Sequence, residues 1–179
     1  GNHTNWKIHH NITRGNQGFL ETYDDSECED CTWDNIEISY NFSDDYQWFI
    51  DGPIGNNPII ENNTVLRVLP ANNKFNWGIS LHDVIPDGII RNNIFVLANG
   101  VKAFEWEDPG EAASNNIYYS IDQSLKNPKG YALGPGEIIS EPGFIDYKNR
   151  HLELAVGSPA IDKAFFCLLY TSPSPRDNR

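Results

Sequence analysis

Six carboxylates surround two similar segments, GFLE at 18–21 and WFID at 48–51, and are the side chains best suited to acid–base or metal chemistry. Two carboxylates held close together either share a proton, with the pKa of one raised, or bind a cation. A pair about 5–9.5 Å apart can cleave a glycosidic bond, with one group as the acid and the other as base or nucleophile. Clustered carboxylate oxygens also suit Ca²⁺.

The six acidic residues are predicted to divide into catalytic residues and metal ligands. We predict Glu21, Asp45 and Asp51 as catalytic residues and Asp24, Asp25 and Asp44 as Ca²⁺ ligands. The alternative is an acidic, solvated surface that keeps strand edges from pairing, because the whole chain is acidic.

Two basic residues are further catalytic candidates. His82 precedes Asp83, and a histidine beside a carboxylate can act as a general base. An isolated His-Asp dipeptide is not specific, so the alternative for His82 is an ordinary surface histidine. Lys102 is predicted to point outward from a strand, where it could serve as a base or contact a ligand.

The elements that would position these residues belong to a repeat. Five similar short segments each end in an asparagine, and these asparagines are 30, 22, 30 and 23 positions apart. They are Asn11, Asn41, Asn63, Asn93 and Asn116. An isoleucine stands three positions before the first four, inside short runs typical of β-strands, and helical periodicity is nearly absent. Such periods predict a solenoid.

A second strand is predicted in each period. Aligning GFLET, WFIDG, GISLH and GVKAF by their first residues predicts two columns. One contains Phe19, Phe49, Ile79 and Val101, and the other contains Leu20, Ile50, Ser80 and Lys102. Alternation of this kind fits strands with one buried face. We therefore predict an all-β fold, a right-handed parallel β-helix of about five coils of 22–30 residues.

The repeated asparagines have a predicted structural role in this fold. At the bend after a strand, an asparagine amide can bond the backbone and also the equivalent amide one coil away, so the repeat becomes a ladder. The same register places Lys7 beside Glu37 and Glu61 beside Arg91, as pairs of opposite charge.

The closing segment EPGFIDYKNRHLELAVGSPAIDKA, at 141–164, carries a family resemblance. Together with the coil motif it resembles the right-handed parallel β-helix proteins of the pectate-lyase-like superfamily. The matching positions are Pro142, Phe144, Asp146, Leu152, Leu154, Gly157, Ser158, Pro159, Ala160, Ile161 and Asp162. The resemblance implies a secreted, carbohydrate-active protein, a polysaccharide lyase or glycoside hydrolase, and for a lyase Ca²⁺ that neutralises a uronate.

Fold resemblance does not settle function, because this superfamily also includes binding proteins. The chain contains neither the Gly-His-Gly nor the Arg-x-Lys pattern of polygalacturonase-type members. The alternative is therefore a non-catalytic module for glycan binding or surface adhesion. Exposed tryptophans would stack on sugar rings, whereas buried ones would only fill corners of coils. The candidates are Trp6, Trp33, Trp48, Trp77 and Trp106, with Trp48 predicted at an uncrowded edge.

Composition limits the partners. With 13 Lys and Arg against 25 Asp and Glu, the net charge is −12, which disfavours nucleic acid and anionic membranes. No apolar run reaches the ~20 residues of a membrane span. We expect a monomer that meets a polysaccharide outside the cell. The pair Cys28 and Cys31 is expected to form a local disulfide.

Both ends of the chain differ from the repeat. The sequence starts at Gly1 within a predicted turn and contains no Met, so we expect coils before it to be missing. We assign 1–164 to the β-helix and exclude 165–179. The latter segment resembles translated adaptor sequence fused to reading frames from metagenomic assemblies; a natural disordered tail is the alternative.

Overall fold

A computed structural model describes residues 3–22, 33–69, 76–81, 87–147, 149 and 151–161. Within these ranges the regular structure is β-strand, apart from one 3₁₀ turn at Gly110–Ala112. No helix in this part of the chain is long and apolar enough to cross a membrane.

The first sheet is built from the short runs that precede the repeated asparagines. In spatial order its strands in the described chain are β15 (Ala113–Ser114), β12 (Ile89–Arg91), β9 (Ile59–Glu61), β6 (Glu37–Ser39) and β2 (Lys7–His9). All are parallel, and Ile8, Ile38, Ile60 and Ile90 are in register. These side chains form an inner column because successive residues of a strand point to opposite faces.

The second sheet is formed by the runs that follow the asparagines. Its strands in the described ranges are, in spatial order, β17 (Ile138–Ile139), β16 (Ile117–Ser120), β13 (Ile94–Leu97), β10 (Thr64–Arg67), β7 (Phe42–Asp44) and β3 (Ile12–Arg14). Every pairing is parallel and joins equivalent segments of the repeat.

A third sheet completes the repeating unit. Its described strands are β14 (Lys102–Glu105), β11 (Trp77–Ser80), β8 (Trp48–Asp51) and β4 (Gly18–Glu21). A shorter pair, β1 (His3–Thr4) and β5 (Trp33–Asp34), precedes the first sheet. Because each strand pairs with its equivalent in the next repeat, the chain is a parallel β-solenoid, and that part of the fold prediction is confirmed.

The closing segment forms an antiparallel hairpin of β18 (Phe144–Asp146) and β19 (His151–Leu154). Phe144 and Leu152 pack against an apolar cluster formed by Phe42, Leu66 and Val96 of the second sheet. This cluster is separate from the main core that the three sheets enclose. The hairpin thus covers outward apolar side chains that water would otherwise contact.

The predicted asparagine ladder is confirmed. The Oδ1 of each ladder asparagine from Asn41 to Asn116 accepts bonds of 2.9–3.0 Å from the backbone N–H and the Nδ2 of the preceding ladder asparagine. The Nδ2 groups of Asn41, Asn63, Asn93 and Asn116 also donate to the carbonyls of the inward isoleucines one coil before. Each buried amide is therefore tied to two coils at once.

The left-handed bend lies one residue before each ladder asparagine, not at the asparagine itself. The residues with φ between 52° and 58° there are His10, Tyr40, Asn62, Asn92 and Asn115. Asparagine tolerates this conformation better than most residues. The paired asparagines of the later coils thus divide two tasks, since the first makes the bend and the second joins the ladder.

The predicted columns of the third sheet are wrong after the second coil. Ile50 pairs with Ile79 and then with Phe104, whereas Lys102 pairs with Trp77. Aligning Gly18 with Gly78 caused the error in the third coil, and aligning Gly78 with Gly100 caused the error in the fourth. The Trp48 side chain lies against Gly18, whereas a Cβ at Gly78 would come within 2.5 Å of the Ala103 carbonyl oxygen. Each glycine is therefore required by a different neighbour, and the two do not occupy equivalent positions of the repeat.

The placement predicted for Trp48 is also wrong. Its side chain is buried, and its indole occupies the space where a Cβ of Gly18 would lie. The indole stacks on Trp77 with ring centroids 6.4 Å apart. Large aromatic side chains bury much apolar area, so this pair stabilises the third sheet instead of lying at an open edge.

Candidate functional site

Two of the predicted catalytic acids are brought together. Glu21 and Asp51 are Cα partners on β4 and β8, so their backbones are one strand spacing, about 4.8 Å, apart. Glu21 is exposed and Asp51 is half-buried. The same register continues through Ser80 to Glu105, which gives the third sheet a column of three acids and one serine.

The other two described acids belong to a different sheet. Asp44 ends β7 and Asp45 follows it, and both are buried. The Asp45 carboxylate accepts bonds from the hydroxyls of Thr13 and Ser43, at 2.5 and 2.7 Å, and from the backbone N–H of Asn16, at 2.9 Å. A buried carboxylate held by three donors stabilises the turn between the second and third sheets.

A buried arginine lies in the same region and was not predicted. Arg67 is fully buried at the end of β10, where its guanidinium donates to the carbonyls of Ser43 and Leu66 and to the Ser43 hydroxyl. Burial lowers the pKa of Arg67 to about 10, and the nearby charges of Asp45 and Asp44 oppose that shift. Arg67 follows the inward Val65 by two residues, a signal that could have placed it inside.

The remaining predicted residues are not gathered with these acids. Lys102 forms an ion pair with Glu105, with 3.4 Å between Nζ and Oε2. His82, Asp24 and Asp25 lie outside the described residues, as do Cys28 and Cys31. Within the described ranges, no group of three or more His, Cys, Asp or Glu side chains could hold a metal ion.

The structure assembles a second candidate surface that sequence reasoning missed. We call it the amide face, and it consists of two adjacent columns on the outside of the first sheet. Its residues are Asn5, Asn35, Asn57, Asp87, Lys7, Glu37, Ile59 and Ile89. They line an open groove of about 330 Å³ that runs across four coils. Such a groove suits an extended ligand more than a compact one.

The first column of the amide face is a row of three exposed side-chain amides followed by one exposed carboxylate. Asn5, Asn35, Asn57 and Asp87 all have φ between 52° and 59°, which makes this a second left-handed bend. Long hydrogen bonds of 3.3 and 3.4 Å join the three amides. An asparagine amide has two N–H donors and two acceptor lone pairs, so Asn35 retains one of each for another partner.

Charges on the first sheet are balanced in pairs. Lys7 Nζ is 2.8 Å from Glu37 Oε2, and Arg91 Nε is 2.7 Å from Glu61 Oε2, as predicted. The hydrogen bond from Lys7 is the largest cause that lowers the pKa of Glu37. A ligand on the amide face would therefore meet amides, one neutralised ion pair and the carboxylate of Asp87.

Aromatic side chains border the amide face. His3 stacks on Trp33 with centroids 4.4 Å apart, and Trp6 meets both rings edge-on. Trp6 is 43% exposed and adjoins Asn5 and Lys7 in the chain. By the criterion of exposure, stacking on sugar rings stays a prediction for Trp6 and for Trp106, which is 66% exposed, whereas the buried Trp48 and Trp77 fill space within the fold.

No family model, curated protein or solved structure matches this chain. The sequence resemblance in the closing segment and the geometry of the solenoid are therefore what bear on function.

Proposed function

We propose that the protein is a secreted, right-handed parallel β-helix of the pectate-lyase-like type, of about five coils, that binds an extended polysaccharide along the amide face. The observation that carries the proposal is the row of exposed amides at Asn5, Asn35 and Asn57, repeated once per coil. The resemblance of the closing segment supports the family and the glycan.

The spacing of the row suits a chain of sugars. Parallel strands are about 4.8 Å apart, a distance comparable to one sugar residue of an extended glycan. Each amide can exchange two hydrogen bonds with neighbouring hydroxyls. The part-exposed Ile59 and Ile89, with Trp6 at the border, supply apolar contact for sugar ring faces. Polar groups then orient the ligand and apolar groups contribute contact area.

Electrophoresis of the purified chain in gels containing single soluble polysaccharides tests this binding. We expect retardation by at least one neutral or acidic glycan of the panel. Replacing Asn35 with glycine removes one amide while keeping the left-handed bend, and should reduce the affinity about 10-fold, the effect of losing about 1.4 kcal/mol. Gln123→Gly is the matched control, because Gln123 is also exposed with φ near 55°. Equal loss in both variants, or no retardation by any glycan, would contradict the proposal.

A second candidate function is cleavage of a polysaccharide by Glu21 and Asp51. Their position as register partners on adjacent strands favours it, because glycoside hydrolysis requires two carboxylates a few ångströms apart. A hydrolase would release reducing ends, and a lyase would release unsaturated products that absorb ultraviolet light. Glu21→Gln and Asp51→Asn should each abolish product, whereas Glu153→Gln, at an exposed site on β19, should not. Product that persists in both variants would exclude this pair.

Ca²⁺ is part of this second candidate. Glu21 and Asp51 supply two carboxylates, which is fewer than the six to eight oxygens that Ca²⁺ takes, so these residues do not form a site by themselves. Asp24 and Asp25 would have to complete it. Ca²⁺ should then raise the melting temperature, because a ligand of the folded state stabilises it. Asp51→Asn should weaken that rise, and an unchanged wild-type melting temperature would remove Ca²⁺ from the proposal.

A further inference from the structure

The last asparagine of the ladder, Asn116, contacts a buried ionic cluster that is not part of the amide face. Asn116 Nδ2 donates to Glu137 Oε1 at 2.9 Å, and Lys129 Nζ donates to Glu137 Oε2 at 2.6 Å. The side chains of Lys129 and Glu137 are 1% and 0% exposed, and Asn116 is fully buried. One carboxylate therefore holds an amine and a carboxamide side by side, away from water.

The carbonyl of this carboxamide is polarised from its other side. Asn116 Oδ1 accepts hydrogen bonds from the backbone N–H of Asn93 at 2.9 Å and from Asn93 Nδ2 at 3.0 Å. Two fixed donors aimed at one carbonyl oxygen stabilise the negative charge that develops there when a nucleophile adds to the carbon. The other ladder asparagines with two such donors are Asn41, Asn63 and Asn93. Asn116 differs from them because the ladder partner beyond it is replaced by Glu137 with its lysine.

Glu137 is placed to move the protons that such a reaction requires. Besides Lys129 and Asn116, it accepts bonds from the Tyr118 hydroxyl at 2.5 Å and from the backbone N–H of Gly134 at 2.7 Å. Glu137 Oε2 is 2.6 Å from Lys129 Nζ and Glu137 Oε1 is 2.9 Å from Asn116 Nδ2, so one carboxylate reaches both the atom that must lose protons and the atom that must gain one. The neutral amine is the nucleophilic form of lysine.

We propose that Lys129 and Asn116 form an intramolecular isopeptide bond, with Glu137 as the proton carrier. Nζ of Lys129 attacks Cγ of Asn116, and the new C–N bond forms as the Cγ–Nδ2 bond breaks. Glu137 takes protons from Nζ and delivers one to Nδ2, which leaves as ammonia. The product is one secondary amide, one ammonia and a neutral Glu137, so atoms and charge balance without any oxidant or cofactor.

The bond would close the end of the solenoid. Asn116 precedes β16, which lies next to the final strand β17 of the second sheet, whereas Lys129 lies in the loop between them. A covalent link there would join the terminal loop to the last step of the ladder. It would also replace a buried charge pair by a neutral amide, which removes a cost of burial.

Intact mass spectrometry of the purified full chain, together with tryptic mapping, tests the bond. We expect a mass lower than the sequence mass by one ammonia. We also expect a branched peptide that joins 103–126 to 127–148, uncleaved after Lys129 because an acylated lysine is not a trypsin site. Lys129→Arg, which keeps the positive charge, and Glu137→Gln should both show the full sequence mass.

Three results would overturn the inference. The first is a folded wild-type chain with the full sequence mass and separate tryptic peptides 103–126 and 130–148, even after prolonged incubation. The second is loss of ammonia without a branched peptide, since an asparagine can also lose ammonia by closing on its own backbone. The third is the same mass loss in Lys129→Arg. The wild-type measurement decides the question even if a variant fails to fold.

Discussion

The solenoid contains two columns of asparagines that differ in burial and in what they do. The inner ladder from Asn41 to Asn116 is buried, and its amides are joined by bonds of 2.9–3.0 Å. The outer row of Asn5, Asn35 and Asn57 is exposed, and its amides are joined at 3.3–3.4 Å. The same side chain is thus part of the fold in one column and available to a ligand in the other.

Solvent access explains the difference. A buried amide must satisfy all its polar atoms within the protein, since each unmet group costs about 1–3 kcal/mol. The ladder meets this demand by bonding backbone and side chain of neighbouring coils. An exposed amide can exchange its partners for water at little cost, so the outer row is free to vary its contacts, as the proposed binding of sugar hydroxyls requires.

The largest effect is expected from breaking the inner ladder. Asn63→Ala removes the amide oxygen that accepts from the backbone N–H and the Nδ2 of Asn41. It also removes the Nδ2 that donates to the Ile38 carbonyl and to Asn93 Oδ1. We expect the free energy of unfolding to fall by about 3–5 kcal/mol. Denaturation in urea, followed by tryptophan fluorescence, measures this change.

Asn35→Gly is the matched change in the outer row. Glycine accepts the left-handed conformation at Asn35, where φ is 55°, and the lost bonds are exposed. We expect the free energy of unfolding to change by about 0.5 kcal/mol or less. Similar losses in Asn63→Ala and Asn35→Gly would show that burial does not separate the two columns.

The next effect concerns the buried polar cluster beside the second sheet. Arg67→Met removes the buried guanidinium while Asp44 and Asp45 stay inside the protein. We expect a loss of about 3 kcal/mol in the free energy of unfolding, because a buried charge is left without its counter-charge. The double variant Arg67→Met with Asp45→Asn should recover part of it. Additive losses would mean that the two charges do not interact.

A smaller, pH-dependent effect is expected at the end of the inner ladder. Burial, and then the charge that Glu137 carries before the proposed bond forms, raise the pKa of Tyr118 well above 10.0. The folded protein therefore keeps this proton where the unfolded chain loses it, so stability is complete below about pH 10 and falls as the pH rises further. Tyr118→Phe should flatten that fall, at a cost of about 1 kcal/mol at neutral pH for the lost hydrogen bond. Thermal unfolding from pH 8 to 11 measures both the cost of the substitution and the fall of stability with pH. If stability falls as steeply in Tyr118→Phe as in the wild type, ionisation of Tyr118 is not the cause of the fall.

An effect as small as that of Asn35→Gly is expected from the ion pair on the outer face. Lys7 lowers the pKa of Glu37, so their pairing contributes stability that is present above pH 4.5 and lost as the pH falls below it. Because Lys7 is largely exposed, Lys7→Met should cost only about 0.5 kcal/mol at pH 7. The wild type and Lys7→Met should become equally stable near pH 3. A difference that persists there would mean that Lys7 acts through packing.

Sequence reasoning was most successful where the repeat is strict. The segments around the ladder keep one length from isoleucine to asparagine, so the register of Ile8, Ile38, Ile60 and Ile90 follows from counting. The third sheet was harder because its strands follow loops of unequal length. Counting from Gly18 to Gly78 therefore shifted the predicted pairing by one residue.

The geometry of the candidate sites was likewise predictable only where it follows from the repeat. The partnership of Glu21 with Asp51 was predictable because both lie within a repeat of constant length. The burial of Asp44 and Asp45 was not, since it depends on Arg67 and Thr13 from neighbouring coils. The amide face was missed although a signal was present. Asn5, Asn35, Asn57 and Asp87 each stand six positions before a ladder asparagine, so the period of the ladder could have predicted this row too.

The sequence alone determined the β-solenoid, the inner ladder and two ion pairs between coils, because a regular period converts sequence distance into spatial distance. Only the tertiary structure decided which polar residues are buried. Burial depends on how loops of irregular length cover each sheet, and a period carries no information about them. For the same reason, the cluster of Lys129, Glu137 and Asn116 emerged only from the folded chain, because a loop outside the repeat brings the lysine to the end of the ladder.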